Sequence, residues 1–159
     1  MSYQIYTTKG IVLSERPVRE ADRVYNILTR DFGLMRVSAL GTRKESSKLR
    51  GHIEPFSLAY ISLVRGKEHW RATSAEYIRN IPATPSVARP LSLLEKLIQG
   101  EVSHPELFDA IEEYLESDET TLVSRILFHL GYLKEEDLNL DKKALIRAIN
   151  DGLQSSHLA

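Results

Sequence analysis

The sequence predicts an α+β protein, with a five-stranded β-barrel in its first half and a small α-helical bundle in its second half. Up to about residue 79, apolar and polar residues alternate in short runs separated by turn signals. Three of the six prolines then lie between Ile81 and Pro90, and apolar residues after them recur at helical spacing. We therefore expect a barrel domain at residues 1–80 and a helical domain at residues 81–159.

Five runs in the first half have the period of two that is typical of strands, namely residues 5–13, 23–29, 34–40, 57–64 and 69–77. The connections 30–33 and 65–68 are short enough for hairpins. Five short antiparallel strands in about 80 residues fit a small closed barrel of OB type. Barrels of this type bind single-stranded nucleic acid on their second and third β-strands and on the adjoining loops.

Four segments of the second half carry apolar residues three or four positions apart. They contain Leu91, Leu94, Leu97 and Ile98, then Leu107, Ile111, Tyr114 and Leu115, then Val123, Ile126, Leu127 and Leu130, and finally Leu145, Ile149 and Leu153. Ser103 and Glu106 predict a capping box for the second helix, and Gly131 is placed to end the third.

Charge is divided unequally between the two halves, although the whole chain has 21 Lys and Arg against 22 Asp and Glu. Residues 1–80 hold 14 cations and 8 anions, net +6, whereas residues 81–159 hold 7 cations and 14 anions, net −7. Such a split indicates a nucleic-acid or membrane partner for the basic half. The alternative interpretation is that the two halves attract each other.

Composition and spacing exclude several classes. No apolar run approaches the ~20 residues that span a bilayer, and the N-terminus has no signal-peptide pattern, so we expect a soluble cytoplasmic protein without a membrane partner. The chain has no cysteine, which excludes disulfides, a thiol nucleophile and cysteine-based metal sites. Phosphate-binding and nucleophile motifs are also missing from the sequence. We predict no enzyme activity, no cofactor and no metal.

One segment imitates the start of a calcium loop. Asp137, Asn139 and Asp141 have the spacing of its first three ligands. Lys142 stands where the loop requires glycine, and Ala148 stands where it requires the bidentate glutamate. A helix cap is the better interpretation.

The loop after the third strand is the most basic segment of the chain. Four cations lie within eight residues and are opposed only by Glu45, namely Arg43, Lys44, Lys48 and Arg50. A polyanion such as nucleic acid is the partner that this loop would suit. The alternative is an ordinary solvated loop, and we favour the functional interpretation.

Further cations are predicted on the barrel. Alternation that turns Val24, Leu28, Met35 and Val37 inward would turn Arg23, Tyr25, Arg36 and Ser38 outward, giving cations beside an aromatic platform for a base. The alternative is that Tyr25 packs against the helical domain. Arg65, Lys67 and Arg71 near the last hairpin extend the basic track, and we expect Trp70 in the barrel core rather than on the surface.

Several motifs follow one another along the first half of the chain, namely Ile11-Val-Leu-Ser-Glu-Arg-Pro17, Glu20-Ala-Asp-Arg23, Leu28-Thr-Arg-Asp-Phe-Gly-Leu34, Gly41-Thr-Arg-Lys44 and Leu49-Arg-Gly-His-Ile-Glu-Pro-Phe56. Their order and spacing resemble the RecO family of bacterial recombination mediators. His104-Pro-Glu-Leu-Phe108 and Leu127-Phe-His-Leu-Gly-Tyr132 are similar to the family's helical domain. Two departures are Leu40, where many relatives have lysine, and the absence of the cysteines that hold a zinc module in some relatives.

The resemblance implies a non-enzymatic role in DNA repair and recombination. Proteins of this family bind single- and double-stranded DNA, anneal complementary strands and work with RecR and single-strand-binding protein to let RecA load. The resemblance also implies a bacterial, nucleoid-associated protein, and it favours the interpretation in which the cations of the basic loop contact DNA. A second hypothesis is a protein-interaction adaptor of the repair machinery with little DNA binding of its own, in which the acidic helices recognise the partner.

Overall fold

The computed structural model describes residues 4–18, 22–39, 53–98 and 100–155. It confirms the predicted fold class, a five-stranded barrel followed by helices. The strands are β1 (Tyr6–Pro17), β2 (Arg23–Thr29), β3 (Gly33–Ala39), β4 (Ser57–Arg65) and β5 (Trp70–Asn80). The helices are α1 (Pro85–Leu97), α2 (Pro105–Tyr114), α3 (Glu119–His129) and α4 (Lys142–Ser155), with a 3-10 helix at Glu135–Asn139.

The barrel closes in the order β1, β2, β3, β5, β4, and β4 pairs back to β1. Every pairing is antiparallel except that of β3 with β5, which is parallel through Val37 with Trp70 and Ser38 with Arg71. This short parallel contact turns the sheet into a barrel, and it brings the connection between β4 and β5 beside the end of β3. Closure also pairs strand edges that would otherwise be open to association.

The barrel interior is filled by one cluster of buried side chains. Its members come from all five strands and from the residue that leads into β4: Val12, Tyr25, Ile27, Met35, Val37, Ala39, Ile53, Ala59, Ile61, Leu63, Trp70 and Ala72. Each large aliphatic or aromatic side chain buried there contributes roughly 1.5 to 3 kcal/mol relative to exposure. Trp70 is 7% exposed, so its predicted place in the core is confirmed.

Strand β1 is longer than the predicted segment, which ended at Leu13. Its register with β2 shifts between Val12 and Ser14, which marks a β-bulge. The bulge inserts an extra residue and bends the strand, and pairing then continues through Arg16 opposite Val24 to Pro17 opposite Arg23. The extension brings Arg16 beside the start of β2.

The predicted facing of β2 is wrong. Tyr25 pairs with Val37 and Ile27 pairs with Met35. Because directly opposed residues of an antiparallel pair lie on the same face, Tyr25 shares the barrel interior with Val37. Its side chain is 1% exposed, so it neither offers a stacking platform nor packs outward.

The facing of β2 could not be predicted from alternation because both faces of this strand are apolar. Val24 and Leu28 alternate with Tyr25 and Ile27, and all four are buried. The alternation of β3 contains Arg36 and Ser38 on one face, which are less buried than Met35 and Val37, and its predicted facing is confirmed. A strand with two apolar faces is oriented by its neighbour rather than by its own sequence.

The chain divides into two compact units. The first contains the barrel up to Ile81 together with Ile98–Pro105, and the second contains Pro82–Leu97 and the residues from Glu106 onward. The backbone of Val102 lies against Gly33, whose φ is 75°. The Nε1–H of Trp70 donates to Oε1 of Glu101 at 3.1 Å. The segment between α1 and α2 thus completes the first unit, while a functional boundary after Asn80 stays a prediction.

The caps of the helices follow the sequence in most places. Gly131 has a φ of 88°, and its N–H and that of Tyr132 donate to the carbonyls of Phe128 and Leu127 at 3.1 and 2.8 Å. This is a Schellman motif, so the predicted end of α3 is confirmed. Asp141 accepts from the N–H of Ala144 at 2.8 Å, which confirms a helix cap in that segment.

The second helix departs from its predicted start. It begins at Pro105, so the capping position falls on His104 rather than on Ser103. Proline suits the first helical position because the N–H that it lacks would have no partner there. The described helices include none that is long and apolar enough to cross a membrane.

Asp118 caps α3, since its Oδ1 accepts from the N–H of Thr121 at 2.7 Å. This hydrogen bond lowers the pKa of Asp118. Replacing Asp118 by alanine should cost about 1 kcal/mol of unfolding free energy at neutral pH. Because the folded pKa is lowered, the ionised cap stabilises above the ordinary aspartate range, and this stabilisation is lost as the pH falls through the folded pKa.

The matched control for that prediction is Asp118→Asn, since asparagine caps as well as aspartate but does not titrate. Urea unfolding at neutral and acidic pH checks both variants. We expect the difference between wild type and Asp118→Asn to change with pH, and equal pH dependence of the two proteins would contradict the assigned role.

Candidate nucleic-acid interface

An open groove of about 430 Å³ lies in the first unit where β1 ends, β2 begins and β3 ends. The connection between β4 and β5 forms its other wall. The lining residues are Arg16, Val18, Asp22, Arg23, Val24, Ser38, Gly66, Lys67, Glu68, His69 and Arg71. These are the second and third strands and the two loops through which barrels of OB type bind oligonucleotides.

The charge of the groove is predominantly positive. Four cations line it against two carboxylates, Asp22 and Glu68, so the excess is +2. The cations come from three separate parts of the chain, and strand pairing alone brings them together. Arg71 lies opposite Ser38 in the parallel contact, while Arg16 lies opposite Val24. Such an arrangement attracts an anion that touches both walls.

Arg23 of the groove is held by an ion pair. Its Nη1 donates to Oε1 of Glu15 at 2.6 Å, and both side chains are about one-third exposed. The hydrogen bond that Arg23 donates to Glu15, with a smaller contribution from Tyr25, raises the pKa of the Arg23 guanidinium above its ordinary value. An arginine guanidinium stays charged in proteins whatever its partners, and the Glu15 carboxylate beside Arg23 offsets part of that charge.

Three of the predicted site residues meet in the groove, namely Arg23, Lys67 and Arg71. The sequence reasoning missed Arg16 and His69, which line the same groove. Residues 14–17 are Ser-Glu-Arg-Pro and show no apolar alternation, so no pattern in the sequence signalled Arg16. His69 lies in the same connection as Lys67. Its closeness in sequence to this predicted cation was the one signal that it could belong to the site.

The other described candidates lie elsewhere. Tyr25 is inside the barrel, and Arg36 is exposed opposite Asn26 on the outer surface of β2 and β3. Arg65 stacks on Trp70, with its Cζ 5.2 Å from the ring centroid. None of these three lines the groove.

A second, smaller cavity of about 280 Å³ lies at the start of β1 and contains Arg65. Tyr6, Phe32 and Trp70 line it, and their ring centroids are 5.5 to 5.8 Å apart. Arg65 is held on this aromatic cluster by a cation–π contact. The cluster serves mainly to fix Trp70 and the base of the β4–β5 connection.

The basic loop itself lies outside the described residues, so Arg43, Lys44, Lys48 and Arg50 have no described geometry. The two residues that bound it, Ala39 and Ile53, are both buried in the barrel core. Ala39 pairs with Arg23, a residue of the groove. The last described residue before the basic loop therefore lies next to the groove.

Metal ligands do not converge in the described part of the chain, where no group of three or more His, Asp and Glu side chains could hold an ion. The groove is thus described by cations, two carboxylates, one serine, one histidine and apolar side chains. The cations, the serine and the histidine are groups that can contact an anion through charge and hydrogen bonds.

Comparison with known proteins places the chain in a family. The model of the recombination protein O N-terminal domain matches residues 1–81, about half of the chain and the part that holds the groove. The chain belongs to the RecO family. The predicted family resemblance is therefore confirmed.

Individual RecO proteins extend the likeness into the helical half. A DNA repair protein RecO of Synechococcus sp. (strain JA-2-3B'a(2-13)) is 35% identical over 156 residues, covering 82% of this chain and 54% of that protein. The RecO of Gloeothece citriformis (strain PCC 7424) is 30% identical and covers 79% of this chain and 47% of that protein. The RecO of Desulforudis audaxviator (strain MP104C) is 40% identical over 88 residues, 55% of this chain and 35% of that protein. The chain spans about half the length of the relatives it matches most extensively.

Proposed function

We propose that this chain is a DNA-binding, non-enzymatic recombination mediator that acts in DNA repair. It binds single- and double-stranded DNA, promotes annealing of complementary strands and assists the loading of RecA. The observation that carries the proposal is the groove lined by Arg16, Arg23, Lys67 and Arg71 at the ligand-binding position of an OB-type barrel. Membership of a family whose members are named DNA repair proteins supports it.

Phosphate contacts supply the affinity in this proposal. Each Lys or Arg that neutralises a phosphate releases a condensed counterion, which favours binding without regard to sequence. A cationic surface that neutralises two strands at once also lowers their mutual repulsion, and this assists annealing. No bond is made or broken in the protein, so no catalytic group is needed.

The proposed DNA path continues beyond the groove. Arg43, Lys44, Lys48 and Arg50 follow Ala39 along the chain, and Ala39 pairs with Arg23 of the groove. We place these four cations on the path for that reason. Arg65 precedes the wall that carries Lys67, and it would extend the path on that side. Both Arg65 and Arg36 lie outside the groove, but Arg36, on the outer surface of β2 and β3, is the weaker candidate because it does not adjoin a lining residue along the chain.

The partners proposed besides DNA are RecR and single-strand-binding protein, on the ground of family membership alone. In this proposal residues 1–80 contact DNA and residues 81–159 contact protein. The place of action is the bacterial cytoplasm, at the nucleoid.

A second candidate function is a protein-interaction adaptor, and one observation favours it. The second unit has its own groove of about 240 Å³ between α1, α3 and α4. Leu93, Val123, Ile149 and Leu153 line it, and Ile146 at its edge is exposed. An apolar groove of this kind suits a short apolar peptide segment.

Titration of a fluorescently labelled single-stranded oligonucleotide, followed by anisotropy, separates the two candidates. If four groove cations meet phosphates, raising the salt from about 50 mM to about 200 mM should weaken binding by roughly 50-fold. A protein that fails to bind at the lower salt concentration is not a DNA-binding mediator, and the adaptor would become the leading candidate.

A further inference from the structure

Among the described residues of the barrel, no Phe, Tyr or Trp side chain lines the groove. Tyr25 is 1% exposed and Trp70 is 7% exposed, and both belong to the barrel core. Tyr60 and Tyr77 are the exposed tyrosines among the described residues of the barrel, at 47% and 38%. They lie on β4 and β5, and neither lines the groove.

The segments that link β1 to β2 and β3 to β4 along the chain are equally poor in aromatic residues. Residues 18–22 and 40–52 contain no Phe, Tyr or Trp. The connection between β4 and β5 contributes a single ring, the imidazole of half-buried His69. Proteins that hold single strands by their bases instead present aromatic side chains along the cationic track.

Cations and hydrogen-bond donors are the groups that the groove does offer. Arg16, Arg23, Lys67 and Arg71 provide charge, and Ser38 provides a hydroxyl. Arg23 is held by Glu15 at 2.6 Å, so its position is set before any ligand arrives. Such a set matches the oxygens of a phosphodiester chain, and it has little that matches the faces of bases.

We propose that the groove binds the sugar-phosphate backbone and leaves the bases outside. The inference rests on the proposed function and adds the part of DNA that is recognised. The ligand class is a linear phosphodiester polyanion, with or without bases. Single strands bound in this way keep their pairing edges free, which is what annealing requires.

The same groove accepts a duplex because a duplex presents its phosphates outward. For an equal number of contacts the salt dependence is steeper on a duplex, with a slope of roughly 0.9 per contact against roughly 0.7 on single strands. The ratio of the two slopes is therefore expected to be about 1.3.

The test compares two labelled oligonucleotides of equal length, one of mixed sequence and one built of abasic sites with the same phosphates. We expect the dissociation constants to differ by less than about fivefold, since even one stacked base contributes roughly that factor. A larger loss with the abasic strand overturns the inference and leaves DNA binding intact. Failure of both strands to bind overturns the proposed function itself.

Permanganate oxidation of thymines gives an independent readout on the saturated complex. Bases that face outward should react as fast as in the free oligonucleotide, whereas protected thymines would overturn the inference. His69→Gln removes the one ring that lines the groove. The dissociation constant of the abasic strand divided by that of the mixed-sequence strand should be the same in this variant as in the wild type. A smaller quotient in the variant would show that His69 stacks on a base.

Discussion

A variant with Arg16, Lys67 and Arg71 replaced by alanine is expected to bind a single-stranded oligonucleotide at least an order of magnitude more weakly at low salt. If each of these cations meets one phosphate, the plot of log K against log salt should flatten by roughly 2. Arg23 is left in place because its removal would strip Glu15 of its partner. Thermal stability should change little, since exposed charges contribute little to folding.

The matched control removes the same charge from the barrel outside the groove. Lys9, Arg30 and Arg79 belong to the first unit and do not line the groove, so their triple replacement by alanine should keep most of the affinity. Circular dichroism and a thermal melt establish that both variants are folded. Equal losses in the two triple variants would show that total charge, rather than the groove, determines binding.

The basic loop allows a parallel comparison. Replacing Arg43, Lys44, Lys48 and Arg50 by alanine should flatten the salt plot by up to roughly 3, with little dependence on oligonucleotide sequence. A flattened plot for the loop variant together with an unchanged plot for the groove variant would move the DNA site from the groove to the loop.

Replacing Gly33 by alanine is expected to lower the free energy of unfolding by about 2 to 5 kcal/mol. Gly33 has a φ of 75°, a left-handed conformation that costs any L-residue with a side chain roughly 1 to 2 kcal/mol. A Cβ there would also overlap the backbone carbonyl of Val102, which cannot move aside as a side chain can. The rest of the expected loss comes from this overlap.

Gly100→Ala is the matched control in the same unit. Gly100 has a φ of 78°, but among the described residues a Cβ there would meet no heavy atom within 4 Å. The Gly100→Ala variant should lose only the part of the unfolding free energy that comes from the left-handed conformation, roughly 1 to 2 kcal/mol. Urea unfolding followed by the fluorescence of Trp70, the single tryptophan of the chain, measures both variants. Equal losses would mean that the segment Ile98–Pro105 does not pack on the turn at Gly33.

The sequence by itself determined the fold class and most of the elements. Its period changes from two to about 3.6 across the proline-rich segment after Ile81, and period depends only on which face of each element is buried. Residues 23–29 were predicted and observed as β2, and Gly131 ends α3, because a glycine at positive φ acts locally. The excess of cations in the barrel half is likewise a property of the sequence alone.

Only the tertiary structure decided which cations share a surface and which way β2 faces. Tyr25 turned inward because the register with β3 sets the facing of a strand whose two sides are both apolar. Arg16 joined the groove because a bulge extended β1, and Arg71 joined it because β5 pairs in parallel with β3. The packing of Val102 on Gly33 joins residues about 70 positions apart. Sequence patterns do not predict such contacts, because they relate only residues that are close along the chain. Strand register and contacts between distant segments depend on two segments at once, so the sequence of either segment alone does not determine them.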